Sequence, residues 1–144
     1  KKYLEEQEMT NDCLFCKIIK GEIPSNKIYE DDYAYAFLDI NPSTEGHTLI
    51  IPKKHYKNIT DIPAEDLSNF MQSLQKVAKG LLQFGNGLNI IQNNGETAGQ
   101  LVFHLHFHLI PRREADGVSI GHWESKKNLD MNKIQENIKS LLNQ

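Results

Sequence analysis

FHLHFHLIPR, running from Phe103 to Arg112, decides the fold. It spaces His104, His106 and His108 two residues apart, with Leu105 and Phe107 between them, in a chain of only six histidines. A repeat of two is the strand period. A strand over Leu101–Ile110 would turn the three imidazoles to one face and Leu105, Phe107 and Leu109 to the other. The apolar face packs a core. The imidazole face has to serve another purpose.

Outward from this stretch, Asn93–Gln100 (NNGETAGQ) reads as a polar glycine loop, and Leu88–Gln92 before it as a buried strand. Tyr33–Ile40 and His47–Pro52 read as two antiparallel strands joined by the turn INPSTEG. Between these halves lies a helix from about Pro63 to Phe84. Leu67, Phe70, Met71, Leu74, Val77, Ala78, Leu81 and Leu82 form its apolar stripe. Pro63, Glu65 and Asp66 suit its first turn and Gly85 its end. CLFCKIIKGEIP reads as a short helix stopped by Gly21, and the tail as an amphipathic helix capped by Asp130, with Met131, Ile134, Ile138, Leu141 and Leu142 inward. The fold class is therefore α+β: an antiparallel, meander-like sheet of about five strands, one long helix and a C-terminal helix. Residues 1–11 are expected to be a disordered extension, 12–113 the domain, and 114–144 a tail whose helix packs on the domain or on a partner, with Trp123 as a packing anchor.

With 144 residues, the chain can bury a core without disulfides. A net charge of −3 argues against DNA, RNA or membrane-surface binding, which need a basic face. No stretch reaches transmembrane length and no signal peptide is recognisable. Cys13 and Cys16, the two cysteines, then suggest reduced thiols and a cytoplasmic protein.

Two chemistries suit three aligned histidines. Neighbouring histidines on a strand lie about 7 Å apart at Cα and can share a metal, but a third ligand must come from elsewhere. Alternatively, one imidazole attacks phosphorus while its neighbour donates hydrogen bonds to the phosphate oxygens. Gly95 and Gly99, just upstream, let backbone amides approach an anion. Loop and histidines together favour phosphoryl chemistry.

NNGETAGQLVFHLHFHLIPR resembles the signature of the histidine triad (HIT) superfamily, His-φ-His-φ-His-φ-φ with φ apolar. CLFCKIIKGEIP and AFLDINPSTEGHTLIIPKKH are similar to earlier segments of its bacterial Hint-like branch, so the likeness spans about Asp12 to Arg113. It implies a purine nucleotide-binding hydrolase, a phosphoramidase or nucleotidyl hydrolase, or else a non-catalytic nucleotide-binding adaptor. His106 would be the nucleophile on the α-phosphate, His108 a phosphate ligand and His47 a member of the same polar cluster. Asn93, Gly99 and Gln100 would meet the phosphate or leaving group, and Asp39 the ribose hydroxyls. Leu14, Phe15, Ile18, Phe37 and Ile40 would wall the base. The expected ligand is a purine nucleoside monophosphate, its amidate or a dinucleotide, bound by a homodimer with no organic cofactor. One departure stands out: Leu101 follows Gln100 where many relatives carry a hydroxyl.

Cys13-x-x-Cys16 supplies half of a tetrahedral zinc site, with His55 and His104 as candidates for the other half. Relatives with the cysteine pair resemble this arrangement, which would make the zinc structural. Unmetallated buried thiols and a redox pair are the alternatives; no proline or glycine lies between the cysteines to favour the latter.

Overall fold

The computed structural model describes residues 12–120 and 124–143; the expectations for residues 1–11 and for Trp123 lie outside them. Five strands form one antiparallel sheet: β1 (Lys27–Glu30), β2 (Ala34–Leu38), β3 (Thr48–Pro52), β4 (Gly87–Gln92) and β5 (Phe107–Arg112). Their spatial order is β1-β2-β3-β5-β4, so the first three form a meander and the last two are exchanged. Helix α1 (Leu14–Ile19) precedes the sheet, α2 (Ala64–Phe84) links β3 to β4, and α3 (Met131–Leu142) closes the described chain. No helix among the described residues is long and apolar enough to cross a membrane.

Alternation along the strands builds two apolar layers. Ala34, Ala36, Leu38, Ile50, Leu105, Phe107 and Leu109 face Phe70, Leu74, Val77 and Leu81 of α2 and Ile134 and Ile138 of α3. Each large side chain buried there contributes about 1.5–3 kcal/mol relative to exposure. Tyr35, Phe37, Leu49 and Ile51 point the other way, against Phe15 and Ile18 of α1. Strands β2 and β3 are thus covered on both faces and buried throughout. At the helix ends, Gly85 caps α2 as expected, while Pro63 is its N-cap; Asp130 caps α3 by accepting from the Lys133 amide at 3.1 Å.

Three details differ from the sequence reading. β1, only four residues long, is the fifth strand, beyond the four placed on the sequence. β4 is an edge strand, half-buried, with Ile90 facing outward. The histidine stretch is a strand only from Phe107; ahead of it, the Leu105 amide bonds the Tyr56 carbonyl at 2.7 Å, outside the sheet ladder. The alternation persists regardless, because Leu105, Phe107 and Leu109 all enter the α2 core.

Candidate functional site

Opposite that core, His106 and His108 emerge into a cavity of about 610 Å³. His106 is 6% exposed, yet it lines the cavity, its ring held edge-on to Phe15 with centroids 5.1 Å apart. Its Nδ1 lies 2.8 Å from the His104 carbonyl. A carbonyl only accepts, so Nδ1 carries the proton and Nε2 keeps its lone pair. Burial lowers the pKa of His106, which keeps the ring neutral. A neutral imidazole with an available Nε2 is a nucleophile.

Its neighbour is set the other way round. The Ser43 amide donates to His47 Nδ1 at 3.0 Å, which puts the His47 proton on Nε2. That nitrogen faces His108 Nδ1 at 3.0 Å, with Asp39 Oδ2 at 3.5 Å. His108 therefore accepts at Nδ1 and carries its own proton on Nε2. Burial, with lesser repulsion from His47 and His106, pushes its pKa down to about 4. His47 stands behind His108, buried, its pKa lowered by desolvation against the pull of Asp39.

Leu14, Phe15, Ile18, Phe37, Asp39, Ile40, Asn93 and Gly99 line the same cavity. Phe15, Ile18 and Phe37 form its buried apolar end, while Ile40 is 81% exposed at the surface. Asp39 also caps its turn, accepting from the Asn41 amide at 2.8 Å. Gln100 does not line the cavity. It is buried, its oxygen accepting from the Gly95 amide and its nitrogen donating to the Lys57 and Val102 carbonyls, so it braces the glycine loop. That loop contains a 3₁₀ turn at Glu96–Ala98 and ends on Gly99 at φ 94°, a left-handed conformation that suits glycine.

Sequence reasoning missed Leu49 and Ile91, which also line the cavity. Pairing joins Phe37 to Leu49, Leu49 to His108 and His108 to Ile91, one row across four strands. Registering the strands against His108 would have found both. Ser43, whose amide and hydroxyl both meet His47 Nδ1, was also missed, because nothing local in the sequence ties it to His47.

Among the described residues, two groups gather metal-ligating atoms within 4.8 Å of one another: Cys13, Cys16, His55 and His104, and separately Asp39, His47 and His108. In the first, His104 Nε2 donates to the Pro52 carbonyl at 2.9 Å, leaving Nδ1 as a bare lone pair. That Nδ1 is 3.4 Å from Cys13 Sγ, 3.5 Å from Cys16 Sγ and 3.2 Å from His55 Nδ1, and Cys16 Sγ is 3.4 Å from His55 Nδ1. The edges of a tetrahedral zinc site with ordinary bond lengths are about 3.3 Å for N–N and about 3.5 Å for S–N. The four residues therefore fit zinc. Burial pushes the pKa of His104 down to about 3, so the ring does not hold a competing proton. The second trio does not fit, because the Ser43 amide obliges His47 Nε2 to carry a proton where a metal would bind.

Arg112 and Arg113 are engaged elsewhere, Arg112 with Asp116 and Asn89, Arg113 with Glu45 and the Phe84 carbonyl.

Comparison with known proteins bears directly on this site. A model of the HIT domain family matches residues 20–115. An adenosine 5′-monophosphoramidase from Saccharomyces cerevisiae is 48% identical over 131 residues, 90% of this chain and 80% of that protein. An adenylylsulfatase from Arabidopsis thaliana is 41% identical over 115 residues, 78% of this chain and 58% of that protein. Among solved structures, a zinc-bound histidine triad family protein from Mycobacterium smegmatis superimposes with a TM-score of 0.82 at 35% identity, covering 92% of this chain and 94% of that one.

Proposed function

Because this chain belongs to the histidine triad family, we propose that it hydrolyses purine nucleoside 5′-phosphoramidates or kindred nucleotidyl conjugates through a nucleotidyl-histidine on His106. The opposite tautomers of His106 and His108 carry this reading: one ring offers a lone pair and the next offers a proton, side by side on one cavity. In the first step His106 Nε2 bonds to the α-phosphorus and the P–N bond breaks. Its electron pair stays on the departing amine, which takes a proton from solvent. In the second step water adds to phosphorus and loses a proton to solvent, and His106 recovers its lone pair as the nucleoside monophosphate leaves. His108 Nε2–H holds a phosphate oxygen through both steps, and His47 positions His108.

Asp39 takes the ribose hydroxyls, with Phe15, Ile18 and Phe37 around the base, Leu14 and Ile40 at its rim, and Asn93 and Gly99 at the phosphate. Zinc held by Cys13, Cys16, His55 and His104 fastens α1 to the sheet and takes no part in the reaction. A homodimer in the cytoplasm completes the reading, supported by the edge strand β4 with its exposed Ile90 and by Met71 and Leu82 exposed on α2.

The test is His106→Ala. Turnover of adenosine 5′-phosphoramidate should vanish while AMP affinity stays within about threefold, and acid-quenched wild type should yield adenylylated His106 by mass spectrometry. Full activity in the variant would end the proposal. Leu101, which cannot hydrogen-bond a leaving group, favours a second reading, a nucleotide-binding adaptor. That reading predicts wild-type turnover no greater than that of His106→Ala.

A further inference from the structure

Helix α1 does two jobs with six residues. Side chains three apart share a helix face. Cys13, the N-cap, and Cys16 form one such pair and belong to the cysteine and histidine cluster; Phe15 and Ile18 form another and line the cavity. A helix this short is not stable by itself, so whatever fastens it also places the cavity wall. The cluster reaches the cavity a second time through His104. The His104 ring is one of the four candidate ligands, while its carbonyl lies 2.8 Å from His106 Nδ1. Phe15 spans the two groups, edge-on to His104 with centroids 5.9 Å apart and to His106 at 5.1 Å.

We propose that the cluster regulates the cavity: zinc on Cys13, Cys16, His55 and His104 tightens nucleotide binding by holding α1 and its wall residues against the sheet. This rests on the proposed nucleotide site and adds its regulation. Without the metal, α1 depends on the packing of Phe15 and Ile18 against Phe37, Leu49 and Ile51. If α1 is docked only part of the time, the apparent dissociation constant of a nucleotide rises by the inverse of that fraction. The coupling must run both ways. A nucleotide packed on Phe15 and Ile18 retains zinc by the same factor by which zinc retains the nucleotide.

The probe is AMP, which the proposed reaction releases and does not consume. Its dissociation constant, measured by calorimetry, should be at least about fivefold lower on zinc-loaded than on chelator-stripped wild type. Zinc affinity, measured against a chromophoric chelator, should rise by the same factor at saturating AMP, and circular dichroism should show the stripped chain still folded. Asp39→Asn, which lies off α1, should weaken AMP binding yet keep the ratio between loaded and stripped protein. Phe15→Ala should bring that ratio below about twofold. Equal AMP constants with and without zinc, a ratio that survives Phe15→Ala, or a stripped chain that is unfolded would overturn regulation through α1. Failure of the zinc-loaded chain to bind AMP would instead overturn the nucleotide site itself, and this proposal with it.

Discussion

A buried imidazole can be neutral in two ways, and the neighbouring groups choose between them. His108 is faced by His47, His106 and Asp39, and burial holds its pKa near 4, well below its unfolded value. The sign follows directly. Between the ordinary histidine pKa and about 4 the unfolded chain binds more protons than the folded one, so stability rises with pH. The contribution is fully present above the unfolded pKa and is lost as pH falls toward 4. Thermal melts between pH 7 and 4 should therefore show a falling Tm, and His108→Asn should reduce that dependence in part, the rest coming from His47, His55, His104 and His106, whose pKa values burial also lowers. His47→Ala should remove the partner that fixes the His108 tautomer and lower kcat by at least about tenfold. Ser43→Ala should leave kcat nearly unchanged, because the backbone amide at 3.0 Å still donates to His47 Nδ1 once the hydroxyl, 3.2 Å from the same nitrogen, is gone. Steady-state kinetics on the two variants would check both.

Secondary-structure elements are joined here by a few close approaches. Gly85, where α2 gives way to β4, has room for no side chain: a Cβ there would lie 2.9 Å from the Arg112 carbonyl oxygen and 3.3 Å from its nitrogen. Gly85→Ala should cost about 1–3 kcal/mol, read by urea denaturation, because backbone on both sides must shift. Asp31, between β1 and β2, accepts from Ser73 of α2, from Tyr29 and from the Tyr33 and Ala34 amides. Burial opposes its ionisation, but these bonds outweigh it and hold its pKa below the ordinary carboxylate value. Asp31→Ala should lose about 2 kcal/mol in the same experiment. Such joints explain what could be read in the sequence. The α2 stripe and the alternation in Phe103–Arg112 encode burial directly, and both survive in the structure except at Met71 and Leu82, which lie at the margin of the stripe and are exposed. β1 has four residues, too few to display a period, and its pairing with β2 is irregular between Lys27 and Tyr29. The edge position of β4 depends on the exchange of the last two strands, which no local pattern records. Gln100 carried a family resemblance, yet its side chain is engaged by the Gly95 amide and by the Lys57 and Val102 carbonyls.

Over the whole molecule, the four-residue cysteine and histidine cluster joins α1 to the segments that follow β3 and precede β5. With zinc bound there as proposed, chelation should lower Tm on the order of 10 °C, since a structural site contributes its binding energy to folding. Cys16→Ser should reproduce that loss and become insensitive to chelator, as differential scanning calorimetry with and without added zinc would show. The tautomers of the proposed catalytic pair, by contrast, are set by main-chain atoms: a carbonyl fixes His106 and an amide fixes His47. Every amino acid has that carbonyl, and all but proline have that amide. The reactive core is thereby insulated from drift in the side chains around it. Recognition can be rewritten at the rim, one solvent-facing position at a time, while the polarity of the imidazole pair is inherited unchanged.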